Sequence, residues 1–526
     1  MFRKAMLAIM TYVAVLSLIA GCASNTEDQL LNTESVLPEP SRIFLQQISF
    51  DSAIIKWRDG ADSVWFGTRA NQLDHTVATT YEARHKIAKL QRLKPDTRYY
   101  YSFEKAGPET AIMSFRTAPL SEQTPADGNT HIWLLGDSGT ATENTPSGNP
   151  HEGEALAVKS GFLKYNEEQA GGEALDLLLL LGDNAYLEGT DEQWQGGFFD
   201  IYTELIQGAA TWPTIGNHEM GVGPLFDICI FSEIPACEKG PVIMNVSGTS
   251  KSSEPNSYDS DGNGPDKSGL PYLHIFTLPT KGEIGGVPSG TEQYYSFNYG
   301  NVHVVSLDSQ LTNRDKHQRE TMRAWLIDDL SANTLDWTVV IFHHPPYSKG
   351  KNHDSDREQN EIDMRTNFVS IFENYGVDVI YSGHSHSYER SWYLNDHHGL
   401  SDTFDLAENA QLDAHGHPAL GQGNDPYQQI SPLDGSDNRA VYIVAGSSGK
   451  ADKKKPCLEG RIYDCTLPDW LQHPAHRTFS DTKFGHQGHG IAVKGSVVLD
   501  VKKSTLTSRF IDEHGRVLDY FIITRN

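Results

Sequence analysis

The sequence predicts an N-terminal β-sandwich followed by an α/β domain. Residues 41–118 alternate apolar and polar positions in short runs such as RIFLQQISF and SAIIKW, broken by Asp-Gly and Lys-Pro-Asp. This is the pattern of about seven half-buried strands. Residues 119–129 are a linker of Pro, Ser, Gly and Asp. From residue 130 to residue 526, continuous apolar runs alternate with helical spacing, as expected for strands that are covered on both faces.

The elements of the second domain follow one another along the chain. A strand in HIWLLGD precedes a helix over roughly residues 152–169 and a second strand in LDLLLLLGD. YYSFNYGNVHVVSLD predicts a hairpin, and KHQRETMRAWLIDDL predicts a helix with one apolar side. DWTVVIFHH, a further helix and VDVIYSGHSH complete the set. Two polar segments, near residues 245–292 and 395–438, are predicted to be insertions that lie at the surface of the domain.

Charge excludes two classes of function. The chain of 526 residues carries a formal net charge of −26 and shows no basic patch. A nucleic-acid partner or an anionic lipid surface is therefore not expected. A protein this acidic needs a local positive centre to handle an anionic substrate, and metal ions are the obvious candidates.

The N-terminus predicts export. Residues 1–21 have a basic start and a short apolar stretch, the pattern of a signal peptide. IAGC resembles a bacterial lipobox, in which Cys22 is the lipidated first residue of the mature chain. Residues 22–40 are polar and predict a tether without a fold of its own. We therefore expect a lipid-anchored bacterial protein, in the outer membrane or facing the periplasm, that contacts the membrane through its anchor only.

The other cysteines form two pairs with equal spacing. They are Cys229 with Cys237 and Cys457 with Cys465. In an export context the even number favours two local disulfides, 229–237 and 457–465, among three pairings. Neither pair is C-x-x-C, so a zinc site has no support, and free thiols remain the alternative for a reducing compartment.

Polar side chains follow five separate apolar runs, usually with glycine beside them. They are Asp137 in LLGDSG, Asp183 and Tyr186 in LLGDNAY, Asn217 in TIGNHE, His343 in VVIFHHPP, and His384 and His386 in IYSGHSHSYER. In an α/β fold, loops beyond the carboxyl ends of strands form ligand sites. Oxygen and imidazole donors suit Fe, Zn, Mn or Mg. Seven donors are too many for one tetrahedral ion and suit two ions that share a carboxylate.

The series GD-x-G, GD-x-x-Y, GNH-E, V-x-x-H and GH-x-H resembles the purple acid phosphatases, within the calcineurin-like metallophosphoesterases. The resemblance spans roughly residues 41–526. In its first part, LKPDTRYYY resembles the fibronectin type III signature, with Tyr99 as the corner tyrosine. The resemblance implies a four-layer α-β-β-α sandwich. It also implies a phosphatase that hydrolyses phosphomonoesters by attack of a metal-bound hydroxide, to scavenge phosphate.

The resemblance also assigns the donors. Asp137, Tyr186 and His386 would hold the first metal, Asn217, His343 and His384 the second, and Asp183 would bridge them. A charge count favours Fe(III) at the first position, because the phenolate of Tyr186 offsets the extra charge. The second ion would be Zn, Mn or Fe(II). His343 is preferred to His344 because it completes VIFH.

Two further histidines are candidates for catalysis. By resemblance, His353 would assist the leaving group. His218, beside Asn217, would contact the phosphate or the hydroxide, with a purely structural role as the alternative. Glu219, Tyr388, Glu389 and Arg390 are interpreted as orienting or packing residues.

Several alternatives stay open. The same scaffold could serve a phosphodiesterase or a nucleotidase. The interval from Asp137 to Asp183 is longer than the resemblance leads us to expect, and the insertion at 245–292 is expected near the site, so either could change which ester fits. A non-catalytic surface lipoprotein would be favoured by loss of a donor, yet the sequence retains all of them. In FGHQGHG, His486 and His489 could add a third metal position, although a structural turn is preferred.

Overall fold

A computed structural model describes residues 38–107, 110–139, 152–186, 189–220, 270–351, 353–429, 438–452, 469–479 and 488–525. The predicted signal peptide, the lipidation site Cys22 and nearly all of the tether lie outside these residues. So do the four cysteines of the predicted disulfides, His486 and most of the first insertion. Residues 39–526 form one compact unit. No helix among the described residues combines the length and the apolar character needed to cross a membrane.

The first part of the chain folds into eight strands rather than about seven. They are β1 (Ser41–Gln46), β2 (Ser52–Arg58), β3 (Ser63–Gly67), β4 (His75–Ala78), β5 (Thr80–Glu82), β6 (His85–Gln91), β7 (Arg98–Ser102) and β8 (Met113–Arg116). They make two layers, β1-β2-β6-β5 and β4-β3-β7-β8. The hydroxyl of Tyr99 accepts a hydrogen bond from the backbone N–H of Lys94 at 2.9 Å, as a corner tyrosine does.

The α/β part supplies the remaining elements. Its strands are β9 (Thr130–Leu135), β10 (Leu177–Leu180), β11 (Ala210–Pro213), β12 (Tyr295–Tyr299), β13 (Val302–Ser306), β14 (Trp337–Ile341), β15 (Val379–Ser382), β16 (Tyr388–Arg390), β17 (Tyr427–Gln429), β18 (Val441–Ala445), β19 (Gly495–Val501), β20 (Thr505–Asp512) and β21 (Val517–Arg525). Its helices are α1 (Glu152–Gln169), α2 (Asp191–Trp194), α3 (Asp200–Ile206), α4 (Pro271–Ile275), α5 (Leu311–Arg314), α6 (Lys316–Ala332), α7 (Gln359–Asn374) and α8 (Leu406–Asn409). A π-helical turn, Gln195–Phe199, joins α2 to α3, and Ser401–Thr403 is a 3₁₀ turn. The predicted helix near 152–169 and the predicted hairpin, β12–β13, are both confirmed.

Two large sheets carry the α/β part. The first has the order β17-β21-β20-β19-β9-β10-β11-β1-β2-β6-β5, and the second β12-β13-β14-β15-β18-β16. Strands β9, β10 and β11 are parallel neighbours, as are β13, β14, β15 and β18. Because β1 pairs with β11, at Leu45 and Ala210, one layer of the N-terminal part extends the central sheet. The boundary predicted near residues 119–129 stays a prediction.

The sheets face each other and helices cover their outer sides. The ring of Trp212 on β11 stacks on Phe297 of β12 with centroids 3.8 Å apart. On the outer side of the second sheet, His303 of β13 lies 3.0 Å from Asp329 of α6. Helices α1 and α3 pack against strands of the first sheet. The result is the predicted α-β-β-α layering, which places the ends of the parallel strands of both sheets side by side.

A buried ion network fastens the edge of the second sheet to β21. Arg390 and Asp519 are both buried, and Arg390 Nε lies 2.6 Å from Asp519 Oδ2. Tyr388 donates to the same carboxylate at 2.9 Å, and Arg477 Nη1 lies 2.7 Å from its Oδ1. Arg390 is thus a packing residue of the two-sheet interface.

We expect Asp519→Asn to lower the free energy of unfolding by roughly 3–5 kcal/mol, since it leaves two guanidinium groups without their carboxylate. Urea unfolding measures this loss. The matched control is Glu168→Gln, which removes an exposed pair with Lys164 and should cost less than about 1 kcal/mol. Equal losses in the two variants would contradict the importance given to the buried network.

A second buried carboxyl makes stability depend on pH. Asp378 accepts hydrogen bonds from the backbone N–H of Thr338 at 2.8 Å and from Gln429. Burial nevertheless raises the pKa of Asp378 to about 7. Between about pH 4 and pH 7 the folded chain therefore holds a proton that the unfolded chain has lost.

Because of that proton, this carboxyl should reduce stability as pH rises through the window, by at most about 1.4 kcal/mol per pH unit. Asp378→Asn should flatten the slope of the unfolding free energy, measured by urea titration at pH 4.5, 5.5, 6.5 and 7.5. The control is Asp425→Asn at an exposed position. A slope that Asp378→Asn leaves intact would assign the pH dependence to another group.

Candidate metal centre

Each predicted donor follows the carboxyl end of a strand. Asp137 follows β9, Asp183 follows β10 and Asn217 follows β11, which are parallel neighbours in the first sheet. His343 follows β14 and His384 follows β15, which are parallel neighbours in the second sheet. Since the two sheets face each other, these loops meet at one end of the sandwich.

Three of these donors sit in strained backbone. Asp137 and Asp183 both have φ of 54°, and His384 has φ of 69°. A side chain in this left-handed region costs on the order of 1–3 kcal/mol and persists only where its surroundings fix it. The strain therefore marks the loop ends as a site.

Glycines beside the donors let the loops approach each other. Gly182, with φ of 87°, has no room for a side chain, because a Cβ there would lie 2.6 Å from Nδ1 of His343. A Cβ at Gly216 would collide with the carboxylate of Asp183. The G-D and G-N patterns in the sequence thus reflect close backbone contact as well as turn geometry.

The first predicted trio surrounds the hydroxyl of Tyr186. This oxygen lies 3.0 Å from Asp137 Oδ1, 3.3 Å from His386 Nε2 and 3.4 Å from Asp183 Oδ2. Burial, together with the charges of Asp137 and Asp183, raises the pKa of Tyr186 well above its ordinary value. In the protein without a metal ion, the phenol therefore keeps its proton.

Hydrogen bonds fix the tautomers of the two histidines in the second trio. His343 Nδ1 donates to the carbonyl of Leu181 at 2.8 Å, so the neutral ring presents a lone pair at Nε2. His384 Nε2 donates to Glu358 at 2.7 Å, which leaves the lone pair at Nδ1.

These lone pairs point at other acceptors. His343 Nε2 lies 3.1 Å from Asn217 Oδ1, 3.2 Å from His384 Nδ1 and 3.3 Å from Asp183 Oδ2. Acceptors this close repel one another unless a positive charge sits between them. The structure thus brings together all seven predicted donors, with Asp183 in contact with both trios.

The charges of the buried side chains also favour a cation at this position. Burial alone would lower the pKa of His343, but the neighbouring charge of Asp183 raises it to about 10. Among the described residues, the ion pairs of Asp137 and Asp183 are made with histidines, not with lysine or arginine. A proton on His343 would occupy the place that a metal ion fills in a loaded site. The donor set fits two cations.

His344 is engaged in hydrogen bonds of its own. Its Nδ1 lies 2.7 Å from the hydroxyl of Ser309, which also accepts from the His344 backbone N–H at 3.1 Å. Although His344 lies near His343 and His384, its ring is held by Ser309. This contact favours the predicted choice of His343.

The two candidate catalytic histidines lie on the exposed side of the centre. The side chains of His218 and His353 are 17% and 20% exposed, whereas Asp137 is fully buried. The backbone N–H of His218 donates to Asp183 at 2.8 Å, and its ring packs against Tyr186 at 4.2 Å. The ring of His353 lies 3.8 Å from that of His384. Substrate therefore has access from the side of these two histidines.

Two carboxylates at the centre, Glu358 and Asp452, were not predicted from the sequence. Glu358 bonds His353 Nδ1 at 2.8 Å as well as His384. These two histidines lower the pKa of Glu358 against the effect of burial. Asp452 Oδ2 lies 3.5 Å from Nδ1 of His386. Neither residue belongs to a motif, so only the fold reveals these carboxylates, which orient donor histidines.

Other residues singled out in the sequence have structural positions. Glu389 accepts from the hydroxyl of Ser348 at 2.9 Å and contacts the buried His476. His489 Nδ1 donates to the carbonyl of His476 at 2.6 Å, which suits the structural turn preferred for that segment.

Glu219 ties the loops of the first sheet together. Its carboxylate accepts from the backbone N–H groups of Asp183 at 2.8 Å, Asn184 at 2.7 Å and Gly216 at 2.8 Å. Burial and the charge of Asp183 raise the pKa of Glu219 to about 7.

Glu219→Gln should loosen this arrangement, because an amide N–H would face one of the three backbone donors. We expect a loss of about 1–3 kcal/mol in the free energy of unfolding and weaker metal retention during dialysis. Urea unfolding and elemental analysis measure the two effects. The exposed Glu168→Gln serves as control, and retention equal to that of the control would show that Glu219 does not position Asp183.

The chain is similar to known phosphoesterases. Residues 130–388 match the family model described as calcineurin-like phosphoesterase. The chain is 24% identical over 372 residues to the probable purple acid phosphatase 20 of Arabidopsis thaliana, covering 67% of this chain and 69% of that protein. It is 23% identical over 380 residues to a phosphoenolpyruvate phosphatase of Allium cepa, covering 68% and 64%. Other curated relatives are matched over about half of their length.

Solved structures show the same fold. The purple acid phosphatase PPD1 of yellow lupin superposes with a TM-score of 0.57 at 16% identity, covering 93% of this chain and 74% of that one. A structure of PhoD superposes with a TM-score of 0.53 at 13% identity, covering 92% and 90%. The match to the family model identifies residues 130–388 as a calcineurin-like phosphoesterase domain, and purple acid phosphatases are among the relatives of the chain.

Proposed function

We propose that this protein is a binuclear metal-dependent phosphatase of the acid phosphatase type. One observation carries the proposal: two trios of oxygen and imidazole donors converge on Asp183, and among the described residues the ion pairs of Asp137 and Asp183 are made with histidines rather than with lysine or arginine. The homologues named above support hydrolysis of a phosphate ester.

The donors divide between two ions in this proposal. Asp137, Tyr186 and His386 would hold the first, which we assign as Fe(III) because the phenolate of Tyr186 would offset the extra charge of a trivalent ion. Asn217, His343 and His384 would hold the second, a Zn, Mn or Fe(II) ion, and Asp183 would be shared by both. When bound, the pair would neutralise phosphoryl oxygens and acidify a water molecule.

The exposed histidines act on the substrate. His218 lies beside Asp183 and Tyr186 and donates to a phosphoryl oxygen. His353 protonates the departing ester oxygen, since Glu358 holds its Nδ1 at 2.8 Å and raises its pKa against the effect of burial. Glu358 also orients His384, so one carboxylate aligns a donor and a proton source.

The place of action and the substrate complete the proposal. The signal pattern and Cys22 support an exported lipoprotein that releases phosphate from small phosphomonoesters outside the cytoplasm.

The test measures metal content and ester hydrolysis in the full chain, purified in detergent. We expect two metals per chain and hydrolysis of p-nitrophenyl phosphate that is lost on chelation and restored by Fe with Zn. His343→Gln should lose a metal and reduce kcat/KM by 10²-fold or more, on the order of a removed transition-state contact. The matched control is His344→Gln, which should keep both metals. Absence of bound metal in the wild-type protein would refute the proposal.

A visible spectrum tests the ion at the first position. A tyrosinate–Fe(III) pair should give a broad charge-transfer band that disappears in Tyr186→Phe while iron remains bound. Tyr202→Phe is the control, since Tyr202 is equally buried but contacts Trp133 rather than the donors. Two bound metals without such a band would make the site a divalent one and move diesters and nucleotides ahead of monoesters.

A further inference from the structure

A lysine lies near the exposed side of the candidate metal centre. Lys450 lies in the loop that follows β18, and its Nζ is 4.7 Å from the centroid of the Tyr186 ring. Asp452, two residues further along the same loop, contacts Nδ1 of His386 at 3.5 Å. The loop after β18 therefore brings both a lysine and a carboxylate to the candidate metal centre.

Solvent reaches the centre on that side. The side chains of His386 and Asp452 are 12% and 16% exposed, and we call these two residues and Lys450 the rim of the centre. The side chains of Asp137 and His343, in contrast, are fully buried. A substrate whose phosphoryl group reaches the buried donors must therefore extend its alcohol portion past this rim.

Charge makes the rim selective. The protein carries −26 overall, so it repels any substrate with a second negative group unless a local cation compensates. The metal pair would neutralise the transferred phosphoryl group, but not a carboxylate or a phosphate elsewhere on the same ester. The ammonium group of Lys450 lies over the ring of Tyr186. The hydroxyl of the same ring contacts the donor Asp137.

We propose that Lys450 selects phosphomonoesters that carry a second negative charge close to the ester oxygen. This inference rests on the proposed function and deepens it by naming the substrate class. The contact with the Tyr186 ring holds the ammonium at the rim when no substrate is bound. A carboxylate of the substrate is a stronger partner for the ammonium than an aromatic face.

The experiment compares two esters that differ in one group. 3-Phosphoglycerate carries a carboxylate where glycerol 3-phosphate carries a hydroxymethyl group. With the metal-loaded full chain, we expect kcat/KM to favour 3-phosphoglycerate. Lys450→Gln should lower that preference about fivefold, the size of a partly exposed ion pair. Lys450→Arg should retain most of it, and the preference should shrink as salt is raised. Lys503→Gln, at an exposed position in the turn between β19 and β20, is the control that should change nothing.

The outcomes separate the inference from the function it rests on. An equal loss for both esters in Lys450→Gln overturns the inference and leaves the phosphatase standing. A shifted charge-transfer band with an unchanged preference also overturns it, because Lys450 would then act on Tyr186 alone. If neither ester is hydrolysed, the proposed function fails for these substrates. Calorimetric binding of the same two compounds to wild type and Lys450→Gln still decides the charge preference.

Discussion

The position of Asp183 is the constraint on which the site depends. Its carboxylate touches the phenol of Tyr186 on one side and the ring of His343 on the other. On the His343 side, Asn217 Oδ1, His384 Nδ1 and Asp183 Oδ2 all lie within 3.3 Å of His343 Nε2, and such a group of acceptor atoms is stabilised by positive charge. A proton on His343 meets the need in part. The packing of the five loops therefore creates a site that favours cations even in the protein without metal ions.

Rigid strands allow this repulsive arrangement to persist. Strands β9, β10 and β11 lie in strict parallel register and are fully buried, so their loop ends start from fixed points. Backbone donors then hold Glu219 as a clamp between Asp183 and Gly216. The buried strands and the hydrogen bonds of Glu219 thereby compensate the backbone strain at the donor residues, as expected for a pre-organised binding site.

Much of this was predictable from local pattern. Continuous apolar runs predicted the parallel strands, and glycine beside Asp137, Asp183 and His384 marked the loop ends. The structure brings all seven predicted donors together, although their metals remain a proposal. Glu358 and Asp452 could not be predicted, because a lone carboxylate in a loop has no periodicity and acquires its role only from the histidine that the fold places beside it. Pairing of β1 with β11 was missed for a similar reason: strand partners distant in sequence leave no local signal.

That pairing has a consequence for how the chain can be divided. Without β1, the strand β11 would become an exposed edge of a wide sheet, with free backbone groups ready to pair with another molecule. Phe44 of β1 also packs on Phe199 and Phe276, whose rings would face water. A shortened chain that begins at residue 130 would thus present a sticky edge and an apolar patch. The N-terminal strands act as a permanent cover for the metallophosphoesterase domain, which makes them poor candidates for exchange, deletion or use as an independent module.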